Sequence, residues 1–173
     1  MEELNIKKTT SNITLLAILC ALAVVVSIFE SLLPELIFLP PGFKLGLSNI
    51  VTMFASCTVG VLSSVIVTLV KSIFVGITRG VMAFFMSVGG GVLSALTTGL
   101  LYKYGLKKLG FIGISIIGAL VHNMVQVLIA SFITSEILLY YIPILILFAI
   151  ITGSLTGVVL KIIMPALIKL NLR

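Results

Sequence analysis

Five stretches of this chain run for twenty or more residues without an aspartate, glutamate, lysine or arginine: 9–29, 45–70, 80–102, 109–135 and 137–160. A bilayer core is crossed by roughly 20 apolar residues in helical form. With no water in that core to satisfy backbone groups, such runs are held to helix. The rest of the composition agrees. Of 173 residues, 60% are hydrophobic and 9% charged, where a soluble domain carries about a quarter charged residues. No hydrophilic run is long enough to fold separately. The expectation is an all-α integral membrane protein, residues 1–173 forming one domain.

The number of spans turns on the run 45–70. As one helix it gives five spans; divided at Gly60 it gives six, at about 12–32, 46–59, 62–79, 81–102, 110–133 and 138–164. Cytoplasmic loops collect Lys and Arg. With six spans and both termini cytoplasmic, the inner side holds Lys7, Lys8, Lys103, Lys107, Lys108, Lys161, Lys169 and Arg173, and the outer side only Lys44, Lys71 and Arg79. Five spans would reverse that bias. Six is the better count. The second span is short, and is expected to tilt or to sit behind its neighbours. Short turns make successive helices antiparallel.

The net charge of +6 is thus spent on topology, and no basic soluble surface remains to engage nucleic acid. Cys20 and Cys57 fall in separate apolar runs and read as buried thiols. The N-terminus has a basic start, but apolar sequence continues past Ala21-Leu-Ala23 to Phe29. An uncleaved first span fits better than a signal peptide.

One break in the apolar pattern stands out: Leu39-Pro-Pro-Gly-Phe-Lys-Leu-Gly-Leu-Ser-Asn49. Adjacent prolines cannot sit inside a helix. At a membrane boundary such a segment caps a span or lines a cavity. On the six-span topology it lies at the outer face, a candidate wall or lid with Lys44 as its charge.

Polar residues inside the spans need partners or water. Lys71 and Arg79 are eight residues apart on one helix and point to broadly the same side. Pairing with Glu30, Glu35 or Glu136 would account for them; so would an outer vestibule that attracts anions. The fourth span carries Ser87-Val-Gly-Gly-Gly-Val-Leu-Ser94, suited to close helix packing or to exposing amides to a ligand. The fifth carries Gly118, His122 and Gln126 at helical spacing with Asn123 beside them. These form interhelical hydrogen bonds or face a ligand. Small residues four apart, Ala17 and Ala21 in the first span and Gly153 and Gly157 in the last, allow close helix contact.

Chemistry of other kinds finds little purchase. The chain has no aspartate at all, hence no Asp-rich magnesium cluster for diphosphate chemistry. It has no phosphate-binding loop, nucleophile elbow, haem motif or metal-spaced His/Cys set. Independent catalysis is not expected, nor a cofactor or metal. If energy is coupled to the chain, another subunit supplies it.

Pro-Gly-Phe-Lys-Leu-Gly-Leu-Ser-Asn-Ile-Val (41–51), Ser-Val-Gly-Gly-Gly (87–91) and Gly-Ala-Leu-Val-His-Asn-Met-Val-Gln (118–126) together resemble the bacterial family labelled "heptaprenyl diphosphate synthase component I" or "Gx transporter". The resemblance covers nearly the whole chain. That family is in turn similar to the substrate-binding S components of energy-coupling factor (ECF) transporters, six-helix proteins with both termini inside and a pocket near the outer face. The resemblance implies a multi-pass protein of the bacterial cell membrane. It gives Ala17 and Ala21 the role of docking a transmembrane coupling subunit, itself joined to ATPase subunits. Lys44, Asn49, Lys71, Arg79, Ser87, Gly89, Gly90, Gly91, His122, Asn123 and Gln126 would then line or shape a pocket for a small molecule. The expected function is capture of a small anionic molecule from the outer side. The alternatives are a membrane partner in quinone or isoprenoid metabolism or in flavin-based extracellular electron transfer, and a non-catalytic subunit of a prenyl diphosphate synthase. On all of them the chain's immediate surroundings are membrane lipid.

Overall fold

A computed structural model of the chain describes residues 2–32, 46–135 and 138–169. The regular elements among them are all helical: α1 (Glu2–Leu32), α2 (Asn49–Thr58), α3 (Val61–Arg79), α4 (Val81–Thr134), a 3-10 turn (Leu139–Tyr141) and α5 (Ile142–Lys169). Within α4 the backbone breaks at Gly110, where φ is 62° and ψ 177°. That conformation suits a residue without a Cβ, and the helix folds back there into two arms, 81–109 and 111–134. Five windows are long and apolar enough to cross a bilayer: Ile13–Leu32, Val61–Arg79, Val81–Gly105, Lys108–Thr134 and Ile142–Pro165.

These five follow the expected first, third, fourth, fifth and sixth spans. The second differs. α2 has ten residues, about 15 Å of helix against a core about 30 Å thick. It therefore cannot cross alone. Its limits are set locally. At the start, Asn49 N–H donates to Gly46 O at 2.9 Å; at the end, Val59 and Gly60 N–H both reach back to Ala55 O. Gly60 then takes φ 119°, outside the range of other residues, and the chain reverses into α3. Seven of the ten α2 residues are buried, so the half-length helix sits behind its neighbours.

Contacts fix the directions. α2 and α3 run antiparallel, pairing Thr52 with Ser64 and Asn49 with Lys71. α3 and the first arm of α4 do the same, with Thr68 against Gly91 and Ser72 against Ser87. Ser94 Oγ donates to Gly118 O, and the Tyr102 and Phe111 rings lie 6.0 Å apart, so the two arms form a hairpin. α5 returns along the second arm. A Cβ on Gly153 would fall 2.6 Å from Ile116 Cα, and one on Gly157 2.5 Å from Ile112 Cα. The small-residue face of α5 therefore lies backbone to backbone on α4. The start of α3, the Gly110 break and the last turns of α5 share one end of the bundle; Arg79, Val81 and Thr134 share the other.

Apolar packing fills the space between helices. Leu19 and Ala23 of α1 join Val51, Ala55 and Val67, while Met53 and Cys57 meet Leu160 and Met164 of α5. Outward-facing positions are apolar as well, among them Leu62, Ile77, Phe132 and Ile162. A bundle oily inside and out is suited to lipid.

Candidate polar cavity

The polar residues converge where α1 ends, α2 begins and α3 passes its middle. Ser27 and Glu30, three apart on α1, share a face, and both are buried. The Glu30 carboxylate accepts from the backbone N–H of Gly46 and of Leu47 and from the Ser48 hydroxyl. One side chain of α1 thus satisfies amides in the turn leading into α2, which would otherwise be buried without partners. Beside it, Lys71 Nζ donates to Asn49 Oδ1 at 2.8 Å. Lys71 is only 2% exposed and lies about 12 Å along α3 from Arg79.

α4 closes the other side. Ser72 Oγ donates to Ser87 Oγ at 2.7 Å, joining α3 to the first arm. His122 and Gln126, one turn apart on the second arm, are both buried. Gly90 lets the arms approach here, since a Cβ would fall 2.9 Å from His122 Nδ1 and 3.0 Å from its carbonyl oxygen. Together these elements enclose a cavity of about 20 Å³. Its walls are Ser27, Glu30, Gly46, Ser48, Asn49, Lys71, Ser87, His122 and Gln126, with Val75, Ala83 and Met86 as the apolar part. That is room for about one water molecule.

Among the described residues, Ser27 Oγ and Gln126 Oε1 on this wall have no hydrogen-bond partner, and His122 Nδ1 meets only the backbone of Gly90. A buried polar atom left unpaired costs about 1–3 kcal/mol. Such atoms around one polar space mark a place suited to a polar group that the described residues do not supply.

Of the residues expected at a pocket, Asn49, Lys71, Ser87, His122 and Gln126 meet at this cavity. Asn123 points the other way, its Nδ2 donating to Leu145 O of α5 at 3.0 Å. Gly89, Gly90 and Gly91 lie in unbroken helix and face Ile129, His122 and Thr68 respectively. Their part is close packing behind the wall. Arg79 stands at the end of α3, away from the cavity lining. Lys44, with the rest of 33–45, lies outside the described residues, as do Glu35 and Glu136. Ala17 and Ala21 are exposed on α1.

Ser27, Glu30 and Ser48 were missing from the expected set. Glu30 was visible only as a possible ion-pair partner of Lys71. The signal for both α1 residues is their i, i+3 spacing inside an apolar run, which places two polar side chains on one inward face.

Helices of this length and apolarity, packed around a buried polar cavity, make the chain a multi-pass α-helical membrane protein. Residues 19–163 match the family described as heptaprenyl diphosphate synthase component I, and the chain belongs to that family. No curated protein and no solved structure matches it.

Proposed function

We propose that the chain is a solute-capturing membrane subunit, similar in role to the S components of ECF transporters. It binds a small anionic molecule that enters from the outer side. The observation that carries this reading is a polar cavity lined by Lys71, His122 and Gln126, on which Ser27 Oγ and Gln126 Oε1 have no partner among the described residues. Lys71 brings a positive charge to this wall and Glu30, held by Gly46, Leu47 and Ser48, a carboxylate. Asn49, Ser87, His122 and Gln126 supply neutral donors and acceptors. At about 20 Å³ the cavity must widen to take more than water, so capture is coupled to separation of the helices around it.

The topology proposed with this role has both termini cytoplasmic. The antiparallel packing supports it by gathering Lys103 and Lys161 at the end opposite Arg79. The chain performs no catalysis of its own, and any energy comes from partner subunits. The exposed Ala17 and Ala21 face is where α1 would meet a coupling subunit. Purified protein, analysed by mass spectrometry for co-purified small molecules and titrated with those found, should bind one of them with an anionic group. A protein that retains no small molecule and never associates with an ECF coupling module would end this reading.

The family description supports a second one. As "component I" of a synthase, the chain would be the non-catalytic membrane partner of a prenyl diphosphate synthase. Full synthase activity and normal membrane attachment in cells lacking the chain would count against it.

A further inference from the structure

At the end of the bundle that carries Arg79, the two arms of α4 leave an apolar groove of about 560 Å³. Val81, Met82, Phe85 and Val88 form one wall, Ile129 and Phe132 the other. Gly89 lies at its inner end, where Ile129 Cδ1 packs in the place a Cβ would take. None of the groove's lining residues is shared with the polar cavity. From Val81 to Gly89 the groove descends about 12 Å along the helix axis.

Two residues before Val81, across Gly80, stands Arg79. It is half-buried, and its guanidinium makes no hydrogen bond or ion pair among the described residues. A cation two residues from the first groove residue and an apolar channel running on from Val81 match the two halves of one ligand class. We propose that the groove holds an acyl chain of an anionic phospholipid, with the lipid phosphate on Arg79. The guanidinium fork matches phosphate oxygens in pairs. Charge complementarity selects this occupant over a purely apolar helix, which has no group to offer a guanidinium that is unpaired among the described residues.

The chain has no tryptophan, so Phe85→Trp places its single tryptophan, excited apart from the tyrosines, in the groove. The full-length protein is reconstituted into phosphatidylcholine vesicles doped, at equal mole fraction, with brominated phosphatidylglycerol or brominated phosphatidylcholine, and bromine quenching is measured. The expected result is about five-fold preference for the anionic lipid. The preference should disappear in Arg79→Gln and weaken as salt is raised. A control, Leu147→Trp on the exposed side of α5, should quench equally with both lipids. Equal quenching at position 85, a preference that survives Arg79→Gln, or one indifferent to salt with Arg79 intact would each overturn the proposal. None of these measurements uses the polar cavity, so the proposal stands or falls apart from solute capture.

Discussion

Lys71 Nζ donates to Asn49 Oδ1 across 2.8 Å, tying the middle of α3 to the first residue of α2. Both side chains are buried and both line the cavity. Lys71→Met keeps the volume and removes the charge. Asn49 loses a partner, which costs about 1–3 kcal/mol, and the Glu30 carboxylate is left at the cavity without the ammonium. Stability should therefore fall by about 1–5 kcal/mol, and retention of an anionic ligand by about 10–100-fold. Thermal unfolding in detergent and mass spectrometry of the co-purified ligand separate the two effects. A variant that keeps its ligand would remove Lys71 from the site.

Glu30 holds the turn before α2 rather than a ligand. Its carboxylate accepts from two backbone amides and one hydroxyl, so Glu30→Ala strands donors inside the bundle. The expected loss is about 2–5 kcal/mol, from unpaired groups at roughly 1–3 kcal/mol each. Glu30→Gln keeps one carbonyl oxygen for the Gly46 and Leu47 amides and should lose about half as much. Unfolding midpoints in detergent, with Glu30→Gln between wild type and Glu30→Ala, would bear this out. Equal values for all three proteins would mean that the turn before α2 does not depend on Glu30.

The helical spans are legible in the sequence because hydrocarbon imposes one rule on every residue that enters it. The runs at 80–102, 109–135 and 137–160 therefore reappear as the two arms of α4 and as α5. The length of α2 was harder to read. Its end depends on Gly60 taking φ 119°, and its start on a carboxylate sixteen residues away in sequence. The polar residues were visible one by one, but not their directions. His122 and Asn123 are sequence neighbours, yet one lines the cavity and the other bonds to α5. The three cations grouped by topology also separate, since Lys71 lines the cavity and Arg79 stands about 12 Å further along α3. The Gly-Gly-Gly segment is equally open to packing or ligand contact until its neighbours are known.

Gly153 and Gly157 allow the closest helix approach, against the Cα atoms of Ile116 and Ile112. Backbone cannot yield as a side chain can. Gly153→Ala and Gly157→Ala should each cost about 1–3 kcal/mol through overpacking. Gly105 offers a control within α4. A Cβ there would make ordinary contact with Leu101 and Leu109 at 3.4–4.0 Å, so Gly105→Ala should be neutral or stabilising by up to about 1 kcal/mol. Detergent unfolding curves of the three variants test the contrast, and losses no larger at 153 and 157 than at 105 would refute the backbone contact.

Topology can be checked with two exposed positions at opposite ends of the bundle. Thr78 lies next to Arg79 at the end of α3, and its hydroxyl bonds only to carbonyls of its own helix. Tyr104 is 73% exposed near the hairpin end of α4. With Cys20 and Cys57 replaced by alanine, Thr78→Cys and Tyr104→Cys each carry one thiol. An impermeant maleimide added to intact cells should label Thr78→Cys and spare Tyr104→Cys, which should react only after the membrane is opened. The reverse pattern would put the lysine-rich end outside, against the charge rule. It would also turn the end that carries Arg79 toward the cytoplasm, and solute capture from the outer side would lose its basis.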